Sequence, residues 1–214
     1  VKCYRASGVT ISGLEITGAA GGGYTGAINL DQCNNSTVSY NHVHHNITAT
    51  TSGIVVSGLE NKIIYNNVHD NAYVGIRLRG AAANNEIAYN EVHDHTIGGG
   101  DADGIELAFS TVSNTHVHDN VLYNNADDGL DTWASANNLI VNNTSYSNGG
   151  VGDGNGFKLG GGAAGGQSTV AGNTAYDNET SGFTSNGSGN IYQNNVAHSN
   201  GECGFIDSWR TGNT

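Results

Sequence analysis

Three short stretches concentrate residues able to hold or move charge: "DADGIEL" (101–107), "ADDGLDTW" (126–133) and "GNGFKLGG" (154–161). The first two place acidic residues just ahead of a Gly–apolar step. The third carries Lys158, one of three lysines in the chain. Aligned on that Gly, the segments "GIVVSG", "GIRLRG", "GIELAF", "GLDTWA", "GFKLGG", "GFTSNG" and "GFIDSW" put a large apolar residue next. The residue after it runs Val55, Arg77, Glu106, Asp131, Lys158, Thr184, Ile206. If each segment is a strand, alternation turns the apolar residue inward and this column outward. Asp103 and Asp128 then occupy equivalent positions on adjacent segments, with Asp127 and Asp131 close by. Carboxylates crowded in this way repel one another unless a cation lies among them. Oxygen donors without cysteine select a hard ion, and this number of carboxylates favours Ca²⁺ over Mg²⁺. Asp103, Asp127, Asp128 and Asp131 are therefore the expected ligands. Glu106 lies nearby, and Lys158 stands one rung, about 5 Å, from Asp131. Asp and Gly also make tight corners in any repetitive β-structure. That bland reading scatters Asp over many corners, whereas here the pattern occupies two neighbouring segments beside the sole lysine of the column.

Such a column needs strands stacked in register, and the sequence repeats accordingly. One segment recurs as "YNHVHHN" (40–46), "YNNVHDN" (65–71), "YNEVHDH" (89–95), "HDNVLYN" (118–124), "NNTSYSN" (142–148), "GNTAYDN" (172–178) and "NNVAHSN" (194–200), in steps of 22 to 30 residues. The Gly–apolar segment keeps pace at Gly26, Gly53, Gly75, Gly104, Gly129, Gly156, Gly182 and Gly204. A third kind, as in "NKIIYN" (61–66) and "NNLIVN" (137–142), precedes the first in each turn. Three short strands per repeat, parted by Asn- and Gly-rich corners, predict an all-β parallel β-helix of about eight coils. The whole chain, 1–214, reads as one such domain, either a fragment lacking end caps or further coils or a solenoid whose ends are covered by something else. Leucine-rich and helical repeats are excluded by the low Leu content and the lack of helix formers. Asn at equivalent corners stacks about 4.8 Å apart and hydrogen-bonds up and down the column. His44, His69 and His93 share one column as well, and a stacked surface ladder is favoured there over metal ligation. Long segments before two of the strands, "TIGGGDADG" (96–104) and "SNGGVGDGNG" (147–156), would raise walls beside the acidic face.

A formal net charge of −12 argues against nucleic acid or an anionic membrane as the main partner. No apolar run approaches the roughly 18–20 residues that span a bilayer. The chain starts at Val1 and holds no Met, as expected of a processed or trimmed product and compatible with a secreted, extracellular one. Of the three cysteines, Cys3 and Cys33 would sit one coil apart, as a disulfide or as stacked thiols, leaving Cys203 free.

Taken in order on successive coils, "DADGIEL", "ADDGLDTW" and "GNGFKLGG" resemble the family-nine polysaccharide lyases, the pectate lyases built on a right-handed parallel β-helix. The motifs cover roughly residues 85–165, and the repeat extends the resemblance over most of the chain. By position, the resemblance makes Asp103, Asp127, Asp128 and Asp131 calcium ligands and Lys158 the catalytic base. It implies Ca²⁺-dependent cleavage of polygalacturonate (pectate) by anti-β-elimination. The base must be neutral to act, yet a solvated Lys has a pKa of about 10.4. Desolvation and a divalent cation would lower that value and Asp131 would raise it, so an alkaline requirement is expected. Arg77, three coils from Lys158 and about 14 Å away, would meet a carboxylate in a neighbouring subsite, and Arg79 is a second candidate for substrate binding.

Three other readings use the same fold. A polygalacturonase-type hydrolase would pair Asp127 with Asp128 through water, but no "GHG" or "RIK" motif completes that site. An alginate lyase or mannuronan epimerase would use His and Tyr near acidic residues. A non-catalytic solenoid, such as an adhesin or a filament or sheath subunit stacking end to end, has no need for Lys158 beside four Asp.

Overall fold

A computed structural model describes residues 1–20, 25–48, 50–96, 100–109, 111–162, 165–207 and 212–214. Each repeat contributes three strands of two to six residues, and like strands stack in parallel into three sheets of nine, eight and eight strands. The first sheet runs from Lys2–Tyr4 to Cys203–Asp207, the second from Thr10–Ser12 to Ile191–Gln193, and the third from Glu15–Ile16 to Val196–His198. This is the all-β parallel β-helix predicted by the repeat.

The strands are short because each must bury only one or two side chains. In His42–His44 and Lys62–Ile64 the central Val43 and Ile63 are fully buried while their neighbours face outward. Register stacks like on like: Ile11, Val38, Ile63, Ile87, Val117, Ile140 and Val170 form one internal file along the second sheet. In the first sheet, Ile54, Ile76, Ile105, Leu130, Phe157 and Phe183 form another. Each fully buried side chain of this size contributes about 1.5–3 kcal/mol.

Corners are secured by asparagine ladders. Asn41, Asn66, Asn90, Asn120, Asn143, Asn173 and Asn195 each pass a side-chain hydrogen bond to the next, at 2.9–3.1 Å. The left-handed residue is the one before the ladder Asn, as at Tyr40, Tyr65, Tyr89, Asp119 and Asn142. The ladder Asn is thus selected for hydrogen bonding within a dry column, and its neighbour accepts the unusual backbone. Outside the third sheet, His44, His69, His93, Tyr123, Tyr146, Tyr176 and His198 stack with ring centroids 4.5–5.2 Å apart.

Gly26 departs from the expected alignment. It pairs with Ser52, which leaves Ala27 in the column of Gly53. Cys3 and Cys33 are joined as a disulfide across 30 residues of chain, and Cys203 is free and exposed. No helix among the described residues is long and apolar enough to cross a membrane.

Candidate acidic site and lysine on the first sheet

Cross-strand register brings Val55, Arg77, Glu106, Asp131, Lys158, Thr184 and Ile206 into one file on the first sheet. Ile105, Leu107, Phe157 and Leu159 are buried in the core, and this forces Glu106 and Lys158 to the outer face. Asp103, Asp128 and Asn155 occupy equivalent positions two residues ahead of Ile105, Leu130 and Phe157. One ligating oxygen from each of Asp103, Asp127 and Asp128 lies within 4.8 Å of the others. Asp128 is held firmly: its Oδ1 accepts from the backbone N–H and side-chain amide of Asn155 at 2.8 and 2.9 Å. The backbone N–H of Asp128 in turn donates to Asp103 Oδ1 at 3.1 Å.

Lys158 Nζ sits 3.1 Å from Asp128 Oδ2, 3.1 Å from Asp131 Oδ2 and 2.8 Å from Asp153 Oδ2. Five acidic residues, Asp103, Asp127, Asp128, Asp131 and Asp153, around one Lys leave the site short of positive charge. Burial, and then repulsion from Asp131, Asp128 and Asp127, pushes the Asp103 carboxyl well above its usual range. Burial raises Asp131 in the same sense, against the opposing pull of Lys158. Burial and Asp128 together push Asp127 up to about 7. Burial by itself would lower the pKa of Lys158, but Asp131, Asp128 and Asp153 outweigh it and raise it. Asp131 Oδ1 is buried with no hydrogen-bond partner. Asp131 is not one of the three converging carboxylates, so Asp103, Asp127 and Asp128 alone supply the converging set, and its all-oxygen donors fit a hard cation such as Ca²⁺.

The cleft over this file has a volume of about 410 Å³ and is walled by the aromatic rings of Tyr73, Phe109 and Trp133. Gly100 lies against Val151 and Gly152, so the two long inserted segments meet beside the site. Gly152 is required there, because the Asp127 carboxylate fills the space a Cβ would take. Residues 97–99 of the first inserted segment, and Ser208 and Trp209 at the end of the last strand motif, lie outside the described residues.

Arg77 lines the cleft, three rungs from Lys158. Its fork faces Glu106, with Nε 2.7 Å from Oε2, and its guanidinium lies 5.3 Å from the Tyr73 ring centre. Arg79 follows the end of the strand Ile76–Leu78 and lines a separate hollow with Lys2, Asn29 and Asp31. The structure thus brings Arg77 to the lysine's cleft and sends Arg79 toward the earlier coils. A larger hollow of about 710 Å³ covers those coils, with Arg5 as its one charged side chain and no acid–base pair.

Asp153, Asn155 and the three aromatic residues escaped sequence reasoning. Asn155 shares the position of Asp103 and Asp128 and was legible from the alignment. Asp153 comes from a loop, where no periodicity marks its direction.

The model of the Pel9A-like right-handed β-helix region matches residues 3–213. The chain belongs to this family. No curated protein matches it by sequence. Among solved structures, pectate lyase Pel9A superposes with a TM-score of 0.63 at 17% identity, over 86% of this chain and 59% of that one. The A-module of the mannuronan C-5 epimerase AlgE4 of Azotobacter vinelandii gives 0.71 at 19%, over 88% and 54%. The Dettilon tailspike protein gives 0.73 at 19%, over 95% and 44%. The chain thus spans 59% or less of the length of each of these three structures, and at such identities the likeness shows the fold alone.

Proposed function

We propose that this Pel9A-like chain is a secreted, calcium-dependent lyase of polyuronate, with pectate its favoured substrate. One observation carries the reading: a partly buried amine, Lys158, at the lip of a converging carboxylate trio in an open cleft. Asp103, Asp127, Asp128 and Asp131 would hold the ion. Bound Ca²⁺ would neutralise these carboxylates together with the uronate carboxylate that flanks the acidic carbon. Lys158 Nζ is the base that takes the proton from carbon 5. The C–H electron pair becomes the C4–C5 double bond, the C4–O bond breaks, and the leaving oxygen takes a proton from water. Neutralising Asp128 and Asp131 removes two of the three carboxylates that hold the proton on the amine. That leaves burial and the cation's own charge, both favouring the neutral form, against Asp153 alone.

Charge placement supports a polyanionic ligand despite the acidic total. Of the seven Lys and Arg, the first sheet and its margin carry five: Lys2, Arg5, Arg77, Arg79 and Lys158. Trp133 and Phe109, about half exposed, offer faces for sugar rings at the cleft.

Tyr73, beside Arg77 in the cleft, favours a second reading, C5 epimerisation, which begins with the same proton abstraction. Incubation with polygalacturonate at alkaline pH separates the two. A lyase yields unsaturated uronate ends, read by ultraviolet absorbance, with Ca²⁺ and not with chelator. An epimerase exchanges the carbon-5 proton with solvent and yields no such ends. Absence of both on polygalacturonate and on mannuronan removes the enzymatic reading.

A further inference from the structure

The third sheet carries a second cluster of ligating side chains, none of which lines the acidic cleft. His42 and His44 flank the buried Val43 on one strand, so both imidazoles face outward. His69 lies directly across from His44 on the next coil. One ring nitrogen from each of the three falls within 4.8 Å of the others. His42 Nε2 and His69 Nε2 are 2.7 Å apart, so two ring nitrogens are aimed at one point and share one proton there when both rings are neutral. A tetrahedral ion with Zn–N bonds of about 2.0–2.1 Å holds its ligands about 3.3 Å apart, so a slight opening of the His42 and His69 rings admits it in place of that proton. His44, stacked on His69 with ring centroids 5.1 Å apart, turns out of the stack to complete the set.

The surroundings are those of a ligand set. Asp70 Oδ2 accepts from His69 Nδ1 at 2.7 Å, which leaves the Nε2 lone pair free toward His42. A carboxylate bonded to the far nitrogen in this way fixes tautomer and ring orientation at metal-binding histidines. Glu15 Oε1, one coil earlier, accepts from His44 Nε2 at 3.2 Å, and His45 Nδ1 lies 2.7 Å from His44 Nδ1, so His44 exchanges one of these partners for the ion when it ligates. Elsewhere the column is a plain stack, as in His93 on Tyr123 and Tyr123 on Tyr146. His42 stands off that column and converts its start into a chelate. The second outward pair, His116 and His118, has Glu86, Ala88, Leu139 and Val141 across from it and no third imidazole.

We propose that His42, His44 and His69 form a site for a late first-row divalent cation, Zn²⁺ foremost, that ties two adjacent coils together. Imidazole donors select Zn²⁺, Ni²⁺ or Cu²⁺, whereas Ca²⁺ requires oxygen. The site is independent of the acidic cleft and of the reaction assigned to it.

The test is calorimetric titration of the chelator-treated chain with ZnCl₂, paired with thermal melts. One high-affinity Zn²⁺ per chain and a raised Tm are expected, undiminished by excess Ca²⁺. His69→Tyr places in the column the residue that Tyr123 already supplies, and His42→Asn places there what Asn67 supplies on the next coil, so both variants retain the fold. Each is expected to weaken Zn²⁺ more than about 100-fold, and Asp70→Asn about 10–100-fold. Asp103→Asn is expected to leave Zn²⁺ affinity unchanged. No Zn²⁺ binding by the wild type, or wild-type affinity in both histidine variants, overturns the proposal. Loss of Zn²⁺ in Asp103→Asn places the ion in the acidic cleft and overturns it equally.

Discussion

Lys158 lies between opposing influences, with burial favouring the neutral amine and Asp131, Asp128 and Asp153 favouring the ammonium. Without a cation the carboxylates prevail, so the side chain is a poor base until their charge is taken up. Lys158→Ala is expected to reduce the elimination rate by about 10²–10⁴-fold at saturating Ca²⁺, read from initial rates. Lys158→Arg should not restore activity, because a guanidinium stays charged. His95 presents a different residue-scale conflict. It occupies an asparagine-ladder position, where its Nδ1 accepts from the Asn71 N–H and its own N–H donates to Asn125 Oδ1. Full burial drives its pKa down to about 4. The unfolded chain therefore takes up this proton first, and stability is lost as pH falls from about 6.5 toward 4, by on the order of 3 kcal/mol. His95→Asn restores the ladder residue and is expected to flatten that acid limb in denaturant melts at pH 7 and pH 5.

The same ladders govern behaviour at the scale of the element. A strand of three residues has too little surface to set its own register, so the corner asparagines share that task with the internal files of Ile, Val and Leu. Asn143 donates to the carbonyls of Val117 and Val141 and to Asn173 Oδ1, while its Oδ1 accepts from Asn120. Asn143→Ala leaves several buried groups unpaired, each costing about 1–3 kcal/mol. A loss of at least about 3 kcal/mol is expected by urea titration. Most of this level was legible in the sequence, because a repeated Asn–x–apolar pattern can satisfy its backbone only by stacking. The one-residue offset at Gly26 was not, since Ala27 fits the same column and only the paired neighbour decides between them.

For the whole molecule, the cation binding proposed for the acidic cleft would be coupled to folding. Burial raises the folded-state pKa of Asp103, Asp127 and Asp131 above the values of the unfolded chain. The unfolded chain then releases these protons first as pH rises, so the metal-free fold loses stability upward through about pH 7, where Asp127 titrates. Lowering the pH from about 8.5 to about 6.5 in chelator should raise Tm, in a window above the His95 loss. Ca²⁺ should raise Tm at pH 8.5 and abolish that trend, because it binds the deprotonated form of the native state. A Tm indifferent to Ca²⁺ at both pH values would remove the calcium site.

By itself the sequence determined the solenoid, the outward file from Arg77 to Lys158 and the adjacency of Asp103 to Asp128. All three follow from period and alternation, which leave a stacked strand only one way to face. Tertiary structure decided what periodicity does not encode. It brought Asp153 from a loop onto Lys158, turned the Arg77 fork onto Glu106, and separated Arg79 from the cleft at the end of its strand. It also aimed His42 at His69 across a diagonal that no single column contains. Those outcomes depend on side-chain rotamers and loop paths, which are set by whichever neighbours happen to be within reach in three dimensions.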